Sequence, residues 1–135
     1  MKPALAFRQP QFPKEWREIP NGERIIEEVN QILAPWWPKF FGYHLLKIGA
    51  LSSELATPNS PIRHQITVTD HKDCASIVAD VDDLPLLQHS VDVAVLSHVL
   101  EYAVDPHHVV REANRVLIPN GYLVITGFNP FSLVG

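Results

Sequence analysis

Asp82-Asp83-Leu84-Pro85-Leu86, then Val91-Asp92-Val93-Ala94-Val95-Leu96, then Ser97-His98-Val99-Leu100-Glu101-Tyr102-Ala103-Val104-Asp105-Pro106 is the stretch on which the fold turns. Val91 to Leu96 is an apolar run broken only by Asp92 and reads as a buried strand. Asp105 is placed to cap a helix, with Pro106 at its first position, where a missing N–H costs nothing. On that helix Val109, Val110, Ala113, Val116 and Leu117 share one face, with His108, Arg111, Glu112 and Arg115 turned outward. Pro119-Asn120-Gly121 reads as a turn in which Gly121 supplies positive φ. Tyr122 to Gly127 is a second apolar run, suited to a central parallel strand. Strand, short loop, helix and strand in that order predict a right-handed βαβ crossover. Ligands of such sheets bind at the carboxyl ends of the strands, where Asp80, Ser97 and Asn129 are expected to lie.

Working outward, Pro3, Pro10, Pro13 and Pro20 argue against a regular helix or central strand over residues 1–20. This Pro-rich arm is expected to be disordered or laid along the surface, with the domain proper over 21–135. Asn21 can cap a helix carrying Ile25, Ile26, Val29, Ile32 and Leu33 on one face, which Pro35 stops. Trp36, Trp37, Phe40, Phe41 and Tyr43 form the densest aromatic cluster. It reads either as large side chains packed on the sheet, as a substrate-pocket wall, or, less well given the acidic helix before it, as a membrane-surface patch. His44 to Leu51 predicts a buried strand ending at Gly49, and Ser52 to Leu55 one helical turn. Gln65 to Thr69 and Ala75 to Ala79 read as strands separated by five residues, Asp70 to Cys74. Because a parallel pair needs a crossover of roughly a dozen residues, the spacing predicts a β-hairpin at 65–79.

Composition narrows the function classes. A chain of 135 residues makes at most one domain, with 46% hydrophobic and 19% charged residues, ordinary for a soluble protein. A net charge of −4 argues against nucleic acid, whose phosphates call for a basic face. Cys74 has no partner for an intramolecular disulfide, and the first residues lack the apolar core of a signal peptide. With no uncharged run of about 20 residues to span a bilayer, the expectation is no membrane and a cytoplasmic location.

Several of these pieces together carry a family resemblance. Asp80-Val81-Asp82-Asp83-Leu84-Pro85-Leu86, Val99-Leu100-Glu101, Asp105-Pro106, Arg111-Glu112, Arg115-Val116-Leu117 and Pro119-Asn120-Gly121 resemble, in order and spacing, the class I S-adenosylmethionine-dependent methyltransferases of the type 11 group. The resemblance runs from Ile77 to about Pro130. It implies an α/β, Rossmann-like sheet, S-adenosyl-L-methionine as cofactor and a small-molecule methyl acceptor. It also implies seven strands, whereas only Asn129 to Gly135 follow the last strand that the sequence predicts. The expected sheet is therefore incomplete, with an open edge suited to self-association or a partner.

The resemblance nominates four cofactor-binding residues. Gly49 would let the backbone approach the methionine portion, although only one glycine stands in Lys47-Ile48-Gly49-Ala50-Leu51-Ser52, and Ala50, Leu51 and Ser52 would crowd the ligand. Asp80 would accept from the adenine amino group while the Val81 N–H meets a ring nitrogen, an ionised carboxylate being acceptor-only. Ser97, with His98, would line the sulfonium side. Each has an ordinary alternative: a turn glycine, a solvated acidic loop, a satisfied helix-start histidine. Asp70 would hold the ribose hydroxyls unless it belongs to a hairpin turn. No catalytic residue is nominated, since Tyr102 stands where family members often place His. Neither a His or Cys cluster with metal-ligand spacing nor a nucleophile elbow occurs, and no G-x-G-x-x-G follows a strand. The competing reading is a methyltransferase-like fold that no longer catalyses and serves as a binding or scaffold protein.

Overall fold

The computed structural model describes residues 13–70 and 75–127. Asn129, Cys74 and the arm before Pro13 lie outside the described residues. Strands β1 (His44–Ile48), β2 (His64–Thr69), β3 (Ile77–Val78), β4 (Val91–Ser97) and β5 (Leu117–Thr126) form one sheet in the order β3-β2-β1-β4-β5. Every pairing in it is parallel. Helix α1 (Gly22–Leu33) precedes β1, the single turn α2 (Ala50–Ser53) follows it, and α3 (Pro106–Val116) links β4 to β5.

Period-2 alternation divides the sheet's side chains between two cores. Leu46, Ile48, Val68, Ala94 and Leu96 meet Val109, Ala113 and Val116 of α3 on one face. Leu45, Val93, Val95 and Val124 meet Leu33 of α1, Trp37 and Phe40 on the other. This is the helix–sheet–helix layering that buries both faces of a parallel sheet. The predicted start of α3 is present in detail: Pro106 is its first residue, and the Asp105 carboxylate accepts from the His108 N–H at 3.2 Å.

Elsewhere the structure departs from the sequence reading. The hairpin expected at 65–79 is a parallel pair, with Val68 opposite Ile77 and Thr69 opposite Val78. The crossover rule assumes that the chain must climb back along a full strand. β3 is only two residues long, so the chain retreats about one residue's length before pairing, and the Ser76 N–H already bonds the Thr67 carbonyl at 2.9 Å. Pro119-Asn120-Gly121 lies inside β5 as an irregularity: Val91 pairs Leu117, and Val93 pairs Tyr122. The positive φ falls on Asn120, at 69°, rather than on Gly121. Gly121 is needed for closeness instead, since a Cβ there would come within 2.9 Å of the Asp92 carbonyl oxygen. Asn21 precedes α1 in a left-handed conformation, φ 60°, with no side-chain cap bond. The aromatic cluster divides, with Trp37 and Phe40 in the core and Trp36, Phe41 and Tyr43 exposed. Phe40 also packs against Tyr122 of β5, with ring centroids 4.6 Å apart and the planes tilted by 33°.

Asp92, the one acid in β4, anchors the start of β1. Its Oδ2 accepts from the Tyr43 and His44 N–H groups at 2.8 and 2.9 Å. Charge-assisted bonds to a nearly buried carboxylate contribute about 1.5–3 kcal/mol each when their loss leaves donors unpaired. Asp92→Ala should lower the urea-unfolding free energy by about 2–4 kcal/mol, and Asp92→Asn, which keeps an acceptor, by less than half of that. Equal losses in the two variants would show that the acceptor is not the anchor.

Candidate functional site

The strand order creates the site. From β1 the chain moves outward through β2 and β3 on one side, then crosses to β4 and β5 on the other. Connections leaving β1 and β4 therefore diverge, and the crevice between their carboxyl ends is where open α/β sheets bind ligands. The residues standing at the carboxyl ends are, across the sheet, Asp80 and Val81 after β3, Asp70 after β2, Gly49 after β1, Ser97 and His98 at β4, and Thr126 closing β5. All four nominated residues thus share one end of the sheet. Asp70 stands with them because β2 runs parallel to β1, and Asp80 and Val81 do so because β3 runs parallel to β2.

At the centre, Gly49 takes φ 93°, and its N–H donates to the Val68 carbonyl at 2.8 Å. A Cβ there would approach Val99 Cγ2 to 2.7 Å, so both the conformation and the contact require glycine. Ala50, Leu51 and Ser52 are buried rather than projecting over the crevice. Ser52 Oγ accepts from the Ser97 N–H at 2.8 Å and ties the turn after β1 to the end of β4. Ser97 Oγ lies 2.7 Å from Thr126 Oγ1. His98 Nδ1 lies 3.0 Å from the same hydroxyl, and the His98 N–H donates to the Thr126 carbonyl at 2.9 Å. His98 is buried with φ 55°, an uncommon conformation for a side-chain-bearing residue. Burial pushes its imidazole below the ordinary value of 6.5, against the opposing pull of the Glu101 charge.

A residue missed by the sequence reading roofs this centre. Trp16 sits in a 3-10 turn, Trp16–Glu18, and is 1% exposed, neither disordered nor extended along the surface. Its Nε1–H donates to the Leu51 carbonyl at 2.8 Å, its N–H to Glu54 Oε2 at 3.0 Å, and its ring meets His98 edge-on at 4.8 Å. Trp16 therefore bridges the turn after β1 and the loop after β4. A lone tryptophan among Lys14, Glu15 and Arg17 was the available signal, since a side chain of that size rarely stays in water without a partner.

The other end of the site is open. Asp80 and Asp70 are exposed, and Val81 is half-buried against the core. The Asp83 N–H closes a turn on the Asp80 carbonyl at 3.2 Å. One end thus offers carboxylate acceptors in water and the other the buried side chains of Ser97 and His98. Among the described residues no cluster of three or more His, Cys, Asp or Glu could hold a metal ion.

Comparison with known proteins agrees with this geometry. A methyltransferase domain family model matches residues 48–125. The chain is 42% identical over 135 residues to the uncharacterized protein YafS of Escherichia coli strain K12, all of this chain against 56% of that protein. It is 39% identical over 57 residues to the demethylmenaquinone methyltransferase of Chlamydia pneumoniae, covering 42% of this chain and 25% of that one. A SAM-dependent methyltransferase structure from Archaeoglobus fulgidus superposes with a TM-score of 0.57 at 22% identity, over 80% of this chain and 55% of that one. The chain belongs to the methyltransferase domain family, with its Rossmann-like sheet. It spans about half the length, or less, of the curated relatives it matches.

Two outcomes follow from the centre of the site. Gly49→Ala should cost about 1–3 kcal/mol of stability through strained backbone and contact together. Adding Val99→Ala should recover only the contact part; full recovery would show that the φ of Gly49 is not constrained. Because His98 is held below its unfolded value, the native state binds fewer protons than the unfolded one. Its contribution is complete above about pH 6.5 and is lost as pH falls below that value. Urea unfolding at pH 7.5 and 5.5 should show a smaller acid loss in His98→Asn than in the wild type, and an unchanged loss would contradict the assignment.

Proposed function

We propose that this chain binds S-adenosyl-L-methionine and takes part in methyl transfer to a small-molecule acceptor in the cytoplasm. The observation that carries the reading is the row of Asp80, Asp70, Gly49 and Ser97 across the ends of four adjacent parallel strands, astride the switch point. Donor chemistry fits the cofactor along its length. The Asp80 carboxylate, acceptor-only when ionised, suits the adenine amino group, and the Val81 N–H suits a ring nitrogen. Asp70 suits the paired ribose hydroxyls, while Gly49 and Ser97 stand where the methionine portion would lie. The cofactor, when bound, supplies a methyl group on a sulfonium. The chain's own part is to hold that group in line and keep water from it, which the Trp16 roof and the buried His98 support. The net charge of −4 favours a small acceptor over nucleic acid. The lone Cys74 fits a reducing compartment, and no described helix is long and apolar enough to cross a membrane.

A second reading, a scaffold of methyltransferase descent, is favoured by one feature: Trp16 already fills contacts with both Leu51 and His98 at the methionine end. Thermal denaturation with added cofactor separates the two. Saturation at a hundred times Kd should add about 2.7 kcal/mol, several degrees for a domain of this size. Asp80→Ala should remove most of that shift without lowering the cofactor-free midpoint. The absence of any shift at millimolar S-adenosylmethionine or S-adenosylhomocysteine would exclude cofactor binding and leave the scaffold reading.

A further inference from the structure

The loop that carries Asp80 and Val81 is held by a side-chain pair from a distant element. Glu112 and Arg115, one turn apart on α3, were expected to face solvent, yet both turn to the segment 84–86. Glu112 Oε1 accepts from the Leu84 N–H at 2.9 Å. Arg115 Nη2 donates to the Leu84 carbonyl at 2.9 Å and Nη1 to the Leu86 carbonyl at 3.0 Å. The two side chains lock each other, with Arg115 Nε at 2.8 Å and Nη2 at 3.0 Å from the Glu112 oxygens. The arginine holds the Glu112 carboxyl below its ordinary range, so the pair stays charged at neutral pH.

This clasp does more than fasten a loop. Leu84 is buried in the core on the α3 face, which already fixes the segment's depth. Val81 and Leu86 pack beside it, and three hydrogen bonds to the peptide groups of Leu84 and Leu86 add a direction to that backbone which apolar packing does not supply. The Asp83 N–H to Asp80 carbonyl bond then carries the fixed orientation back to Asp80 and Val81 in one turn. An ammonium could not replace the guanidinium, because two carbonyls and a carboxylate are met at once by one planar fork.

We infer that Glu112 and Arg115 are positioning residues that set the base specificity of the nucleoside end, by orienting Asp80 and Val81 toward an adenine edge. The inference rests on the proposed cofactor reading. If the clasp orients these groups, loosening it blurs the choice between an amino group and a carbonyl on the purine. The same change affects much less the contacts made at Gly49 and Ser97.

The test is calorimetric titration with S-adenosylhomocysteine and with its inosine counterpart, which carries a carbonyl oxygen where adenine has the amino group. Wild type should prefer the adenosyl ligand at least about tenfold, the effect of one well-placed hydrogen bond against a mismatched acceptor. In Arg115→Lys that preference should fall to about threefold or less, through weaker adenosyl binding at nearly unchanged inosyl binding. Glu112→Gln, which keeps an acceptor for the Leu84 N–H, should fall between them and serves where Arg115→Lys does not fold. An undiminished preference in a folded variant, or equal weakening of both ligands, would overturn the inference. Wild type that binds the adenosyl ligand without preference would also overturn it, leaving the cofactor reading intact. Wild type that binds neither ligand would remove that reading and this inference together.

Discussion

Strand Val91–Ser97 is closed off from water along its whole length, with β1 on one edge, β5 on the other and a layer of side chains over each face. That constraint governs the rest. A strand buried on every side can carry polar groups only where they are paired, and β4 has them at its two ends. Asp92 near the amino end takes the two N–H groups that begin β1. Ser97 at the carboxyl end bonds the Ser52 hydroxyl through its N–H and the Thr126 hydroxyl through its side chain. Both neighbouring strands are thereby held to β4 near its ends, and the carboxyl ends of β1, β4 and β5 form one rigid rim. A site that needs sub-ångström placement gains more from such a rim than from any loop.

The rim has two chemical characters. Beside Trp16, the buried Ser97 and His98 bond the half-buried Thr126 hydroxyl. Toward β2 and β3 the crevice is acidic and wet, with Asp70 and Asp80 exposed. On the proposed reading this division suits a ligand whose polar nucleoside can be recognised in water by directed hydrogen bonds. Its cationic, reactive end is then better handled where competing water is kept away.

How much of this was legible in the sequence depended on how local the determinant was. The start of α3 needs only Asp105 and Pro106 in succession, and the apolar runs of β4 and β5 announce strands buried on both faces. Gly49, Asp80 and Ser97 could be assigned to strand ends because each follows or closes a predicted strand, whereas Val81 was reached only through the family resemblance. What failed depended on the length of a partner or on contacts far along the chain. The parallel pairing of β2 with β3 turns on β3 being two residues long, which a rule for full-length crossovers does not anticipate. Asn120 takes the positive φ, and glycine is required at 121 by the close passage of the Asp92 carbonyl, 29 positions earlier. Trp16 and the Glu112–Arg115 pair were misread as surface for the same reason. Their partners, Leu51 and His98 in one case and Leu84 and Leu86 in the other, become neighbours only after the sheet has formed.

On the proposed cofactor reading, the carboxyl ends of β3, β2, β1 and β4 make one continuous nucleoside-to-methionine site. Amide chemical-shift mapping of the isotope-labelled chain on addition of S-adenosylhomocysteine is the decisive test. A contiguous set of perturbed amides is expected at Gly49, Asp70, Val81 and Ser97, with the amino ends of the strands near His44 and Val91 unmoved. Perturbations confined to the amides around Trp36 and Phe41, or none at these four amides at saturating ligand, would contradict it.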